Sequence, residues 1–70
     1  MNFSAALDLI KWGAPMTREE WDDPRVYVYR LNPPDTDKIN IHYGTGNDHL
    51  WSPTLEDLFA TDWKQTVRAD

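Results

Sequence analysis

Cysteine is absent from all 70 residues, which rules out a disulfide framework and a thiolate-ligated metal. The absence also fits a reducing compartment. Histidine occurs only twice, so a histidine-based metal site would need carboxylates to complete it. Glycine is scarce, with three residues, and no glycine-rich phosphate loop is present. Gly44-Thr45-Gly46 is too short for one and leads into a strand instead of a helix. No apolar run approaches the roughly 20 residues of a membrane span. No basic segment followed by an apolar run marks a signal peptide. Basic residues are outnumbered seven to twelve, for a formal net charge of −5. A general nucleic-acid binder needs a basic patch, so that class is disfavoured, although one bound nucleotide needs only one or two local cations. The expectation is a soluble intracellular protein with no membrane, DNA or RNA partner.

Aromatic residues are what the chain has in excess: four tryptophans, three tyrosines and two phenylalanines. Such rings bury large areas and can simply form a core. Yet a chain of roughly 60 residues buries only about 60% of the surface its unfolded form exposes. Small domains therefore add a disulfide, a metal or a partner. With the first excluded and the second poorly supplied, self-association is the expected source of extra stability.

Periodicity predicts one α+β domain over residues 1–70: an N-terminal helix, a three-stranded antiparallel sheet and a short C-terminal helix. Phe3, Ala6, Leu7 and Ile10 fall at helical spacing, with Ser4 as cap and Gly13 as stop, over residues 3–12. Thr17-Arg18-Glu19-Glu20 has the form of a capping box and predicts one turn over 17–22. Residues 25–31 form a strand with apolar groups on both faces. Residues 32–37 form a loop, 38–43 a second strand, 44–47 a hairpin turn and 48–51 a third strand. A second helix opens at Pro53 and Thr54, where Thr54 and Asp57 make a capping box, and ends near Thr61. Leu55, Leu58 and Phe59 form its apolar face, and residues 64–70 a frayed polar tail.

No catalytic constellation stands out. Ser4 and Ser52 are accounted for as helix caps. His42 and His49, with Asp48, could approach a metal, or be two exposed strand residues. Glu19, Glu20, Asp22 and Asp23 suit a solvated capping role better than acid–base work. Binding chemistry is better supplied. Trp21 and Trp51 sit at element ends, where rings often line pockets, and a ring pair can stack a nucleobase. Arg18 offers a planar donor pair to a phosphate, or an ion pair to Glu20 or Asp22. The helix start near Thr54 offers N–H groups to an anion.

Two stretches resemble a known family. One is Met1-Asn2-Phe3-Ser4-Ala5-Ala6-Leu7, then Gly13 and Arg18-x-x-Trp21. The other is Trp51-x-Pro53-Thr54-x-x-Asp57-Leu58-Phe59-Ala60-x-Asp62-Trp63. Both are similar to the Thoeris anti-defence family of the second type, and residues 31–50 match only in general character. The resemblance implies a phage-encoded sponge in the cytoplasm of the infected bacterium. Such a protein binds a cyclic ADP-ribose isomer or a cyclic oligonucleotide without cleaving it, and so silences anti-phage defence. It implies a homotetramer with pockets at subunit interfaces and no cofactor. It further implies Trp21 and Trp51 as stacking rings, Arg18 as a phosphate or ribose contact, and Thr54 and Asp57 as polar contacts. Phe3 would be an interface wall. Leu58 and Trp63 match the same signature but are assigned to core packing. The four carboxylates around Trp21 would repel a phosphate unless they point away. The alternative function is an acidic protein-interaction module that blocks a host protein; a small hydrolase is the third.

Overall fold

The computed structural model describes residues 1–23, 25–31, 38–44 and 48–67. The expected loop over 32–37, the tip of the turn at 45–47 and the end of the tail at 68–70 lie outside the described residues.

Helix α1 spans Phe3–Lys11. Its cap is Asn2, not the expected Ser4: the Ala5 N–H donates to Asn2 Oδ1 at 2.9 Å. Both residue types cap well, and starting at Phe3 turns Ala6 and Ile10 into the core. The C-terminal end follows the expectation. Gly13 adopts φ 96°, its N–H donates to the Ile10 carbonyl at 2.9 Å, and the Ala14 N–H donates to Leu9 at 3.0 Å. This pair of bonds satisfies carbonyls that the helix end would leave open.

The sheet has five strands, not three, all antiparallel: β1 Met16–Arg18, β2 Val26–Arg30, β3 Ile39–Tyr43, β4 His49–Leu50 and β5 Trp63–Gln65, in the order β4-β3-β2-β1-β5. The expected strands over 25–31, 38–43 and 48–51 correspond to β2, β3 and β4. The other two replace different expectations. Thr17 does not cap a turn; it pairs with Lys64 in β5, and its hydroxyl donates to the Val26 carbonyl at 2.6 Å. Only Glu19–Trp21 is helical, as one 3-10 turn that ends on Asp22 at φ 58°. Aspartate tolerates that left-handed backbone better than most residues. Residues 64 and 65, expected to fray, are held along β1.

Register places Met16, Val28 and Ile41 side by side across β1, β2 and β3. With Ala6 and Ile10 of α1 and Trp63 of β5 they form the buried core. On the opposite face Tyr27 stacks on His42 at 4.9 Å. The Tyr29 hydroxyl and His42 Nδ1 both meet the Asp48 carboxylate, the latter at 2.7 Å. Strand β2 is thus buried on both faces, as its composition suggested. His42, His49 and Asp48 do not converge as metal ligands; no metal-holding group of three occurs among the described residues.

Helix α2, Leu55–Phe59, begins at the expected Thr54–Asp57 capping box, with both reciprocal hydrogen bonds present, but ends short of Thr61. Its orientation is a correction. Leu55, Leu58 and Phe59 face solvent, and the buried residue is Asp57, 8% exposed. Leu58 is therefore not a core residue, whereas Trp63 is. The cause is an ion pair described below. Among the described residues no helix is long and apolar enough to cross a membrane.

Gly13→Ala should destabilise the fold by about 1–2 kcal/mol, because a Cβ is disfavoured at positive φ. In a domain of this size that lowers Tm by about 4–8 °C per kcal/mol. Thermal unfolding followed by circular dichroism checks this; an unchanged Tm would show that the α1 stop tolerates a side chain.

Candidate ligand-binding site

Trp63 organises the aromatic residues. It is buried on β5, and its Nε1–H donates to the Asp57 carbonyl at 3.0 Å. Trp21 meets it edge-on at 5.4 Å and 81°, and Trp51 at 5.9 Å and 80°. Phe3 packs on Trp63 at 5.5 Å and on Trp51 at 6.0 Å. Edge-to-face contacts of this kind add about 0.5–1.5 kcal/mol each beyond area burial. Trp21, at the end of the 3-10 turn, and Trp51, just past β4, are therefore held from behind while staying half-buried.

Both rings line one cavity of about 460 Å³. Val26, Ile41 and Tyr43 contribute from the sheet, Leu50 from β4, and Ser52, Thr54 and Asp57 from the approach to α2 and its first turn. Four of the six residues singled out from the sequence, Trp21, Trp51, Thr54 and Asp57, thus come together. Phe3 and Arg18 are not part of the wall. Phe3 sits behind Trp51 as packing. Val26, Ile41, Tyr43, Leu50 and Ser52 were missed. The alternation of Ile41 and Tyr43 along β3 was visible, but not that their face would meet Trp21.

Arg18, expected as a phosphate or ribose contact, lies outside the described cavity wall and is engaged by carboxylates. It is 7% exposed, and all three of its nitrogens bind carboxylates. Nε donates to Asp62 at 2.9 Å, Nη1 to Asp57 at 2.9 Å and Nη2 to Glu20 at 2.6 Å. One guanidinium on β1 thereby ties down the 3-10 turn, the first turn of α2 and the residue before β5. The alternative reading of Arg18 as an ion-pair partner holds for Glu20, and not for Asp22. The remaining oxygens are also used. Asp57 Oδ2 accepts the Thr54 N–H at 3.1 Å, and Asp62 Oδ2 accepts the Glu20 N–H at 3.0 Å. The Asp57 N–H in turn donates to the Thr54 hydroxyl at 3.2 Å. The Thr54 and Asp57 N–H groups at the α2 start are thus taken by its own capping box.

Burial pulls the Arg18 guanidinium down, but the hydrogen bonds it donates to Asp62 and Asp57 outweigh this and hold it above its usual value. The same contact with Arg18 holds the Asp62 carboxyl below the usual carboxylate range. Glu56 is pushed up by its hydrogen bond with Glu20.

The acidic cluster around Trp21 stays out of the cavity wall. Glu20 goes to Arg18, Glu19 pairs with Lys64 at 3.1 Å, and Asp23 pairs with Arg25 at 3.2 Å. Asp57 is the one carboxylate among the described residues of the wall, and Arg18 compensates its charge. The described wall contains no lysine or arginine.

A family profile described as Tad2-like, the Thoeris anti-defense 2-like domain, matches residues 1–66. No curated protein sequence matches the chain.

Arg18→Met should cost about 3–5 kcal/mol, since it strands partly buried carboxylates. That is comparable to the whole stability of a small domain. The pH dependence has a definite sign. The folded-state pKa of Asp62 lies below its unfolded value, so its contribution is present above the usual carboxylate range and is lost as pH falls through the folded value. Asp62→Asn should therefore flatten the acid limb of the stability curve, measured by urea unfolding over a pH series. An unchanged acid limb would count against the clamp.

Proposed function

Because the chain belongs to the Tad2-like, or Thoeris anti-defense 2-like, domain family, we propose that it acts in Thoeris anti-defence by binding and sequestering a cyclic nucleotide-type signal without cleaving it. A cyclic ADP-ribose isomer or a cyclic oligonucleotide is the ligand class. The observation that carries this reading is the pair Trp21 and Trp51 on a single cavity. Its volume of about 460 Å³ falls within the roughly 300–1,000 Å³ of small-molecule sites. Indole faces are suited to a nucleobase, and the Ser52 hydroxyl and Tyr43 phenol at the same wall are suited to ribose.

Sequestration also accounts for what the polar groups are doing. Asp57 and Thr54 are bonded to each other, and Asp57 to Arg18, so neither is poised as a general acid or base. A ligand bearing phosphates needs cations that the described wall lacks. A second copy would supply them, which favours a homo-oligomer, a tetramer as the family resemblance implies, with a pocket shared between subunits. The working place of such a protein is the cytoplasm of an infected bacterium.

Thermal shift against a panel of cyclic nucleotides tests this. The wild type should gain Tm with at least one member, and Trp21→Ala or Trp51→Ala should weaken binding about tenfold or more, in line with about 1–3 kcal/mol per stacked base. Circular dichroism of each variant separates lost binding from lost folding. No shift with any nucleotide, together with a host protein on pull-down, would favour the interaction-module reading.

A further inference from the structure

Strand β4 has little to hold it. It is two residues long, lies at the edge of the sheet, and has both side chains exposed. Its ladder to β3 sets Asn40 opposite Leu50 and Ile41 opposite His49. A pairing this short is marginal in water. Yet one side of the cavity wall hangs on it: Leu50 lies in β4, and Trp51 and Ser52 follow directly. Trp51 is fastened at its own end, where its N–H donates to the Ile39 carbonyl at 2.9 Å. The other end is fastened from the face of the sheet turned away from the cavity. Continuing the β3–β4 register by one step sets Asp48 opposite His42. One Asp48 oxygen meets His42 Nδ1 of β3 at 2.7 Å, and the other accepts the Tyr29 hydroxyl of β2. Both partners are themselves held. Tyr27, buried, stacks on the His42 ring at 4.9 Å, and Tyr29 is buried beside it. The Tyr29 hydroxyl above all, and then His42, keep the Asp48 carboxyl below the usual carboxylate range against the burial that raises it. Hydrogen bonds to a charged acceptor of this kind are stronger than neutral ones.

We propose that Asp48 is a positioning residue of the ligand cavity: by clasping β4 to β2 and β3 from behind, it fixes where Trp51 stands. Asp48, His42 and Tyr29 contribute nothing to the described cavity wall and stand apart from the buried apolar core. Their effect on the site is therefore indirect and passes through the backbone. The path is short. Asp48 and Trp51 are three residues apart, at most about 10 Å of extended chain. Register is what the carboxylate secures. A short edge strand is prone to slip, and a slip of one residue would turn Trp51 to the other face, away from Trp21. The native register puts Asp48 within reach of His42 and Tyr29 together, so a slipped strand forfeits both bonds.

The consequence for the site rests on the ligand-binding reading above, but amide exchange needs no ligand, so the two can fail separately. Native-state hydrogen exchange is followed by NMR at the Trp51 amide and, as a reference, at the Val28 amide in the centre of the sheet. Asp48→Ala should speed exchange at Trp51 at least tenfold and leave Val28 within about twofold. Asp48→Asn keeps the shape and can still bond both partners, so it should restore most of the protection. Gly13→Ala, which weakens the fold elsewhere, should not raise the Trp51 rate relative to Val28. Should Asp48→Ala fail to fold, Tyr29→Phe removes one of the two bonds and keeps the ring; it should speed Trp51 at least threefold. Unchanged exchange at Trp51, or a rise shared equally by both amides, would overturn the proposal. Calorimetric titration with a cyclic ADP-ribose isomer reads the consequence. Asp48→Ala should raise Kd at least fivefold, and Asp48→Asn should recover most of the loss. Faster Trp51 exchange with wild-type affinity would overturn the positioning role. A wild type that binds no cyclic nucleotide would sink the ligand reading instead, and the exchange rates alone would then decide whether Asp48 holds Trp51.

Discussion

Arg18 brings together parts of the chain that have little else to hold them. The 3-10 turn is three residues long, α2 is five and β5 is three. None would persist alone, since short helices and isolated strands are marginal in water. Glu20 from the 3-10 turn, Asp57 from α2 and Asp62 from the position just before β5 each supply an oxygen to the same guanidinium. A single interior charge is costly, but one that is matched on every nitrogen is stable in place and costly to disturb. The clamp also determines the chemistry nearby. It sets Trp21 opposite α2, neutralises Asp57 at the cavity wall, and keeps Glu20 on its own side.

A second effect follows from the same bond. Drawing Asp57 inward rotates α2 so that its leucines and phenylalanine point outward. The indole nitrogen of Trp63 reinforces this by binding the Asp57 carbonyl. Trp63 then presents its ring to Trp21, Trp51 and Phe3 at once. The interior arrangement of one aspartate and one tryptophan thus accounts for two surface features, a cavity with half-buried indoles and an apolar stripe beside it.

Much of this could be read in the sequence, and the failures have a common cause. Helix α1 with its Gly13 stop, strands β2 and β3, and the Thr54–Asp57 capping box all follow from local spacing and cap chemistry. So does the pairing of interest, Trp21 with Trp51, because both sit at element ends. Strands β1 and β5 were missed because three residues are too few to show alternation, and β5 pairs with a partner some 47 residues away in register, Gln65 opposite Met16 at its limit distance of 49. Arg18 was read as a ligand contact or as a local ion pair. Its partners Asp57 and Asp62 lie 39 and 44 residues along the chain, beyond the reach of local patterns. The apolar face of α2 was legible as a face; which way it turned depended on that distant arginine.

The acidic residues around Trp21 looked like an obstacle to an anionic ligand. Their carboxylates are instead engaged by Arg18, Arg25 and Lys64, or lie outside the cavity wall. The described cavity wall presents indole, phenol, hydroxyl and aliphatic surface, with the carboxylate of Asp57 compensated by Arg18. The most direct measurement of the central claim is the fate of the bound molecule. Protein saturated with a cyclic ADP-ribose isomer is freed of excess ligand and denatured, and the released species is weighed by mass spectrometry. Near-stoichiometric recovery of the unchanged ring is the predicted result; a linearised product, or no retained ligand, would contradict it.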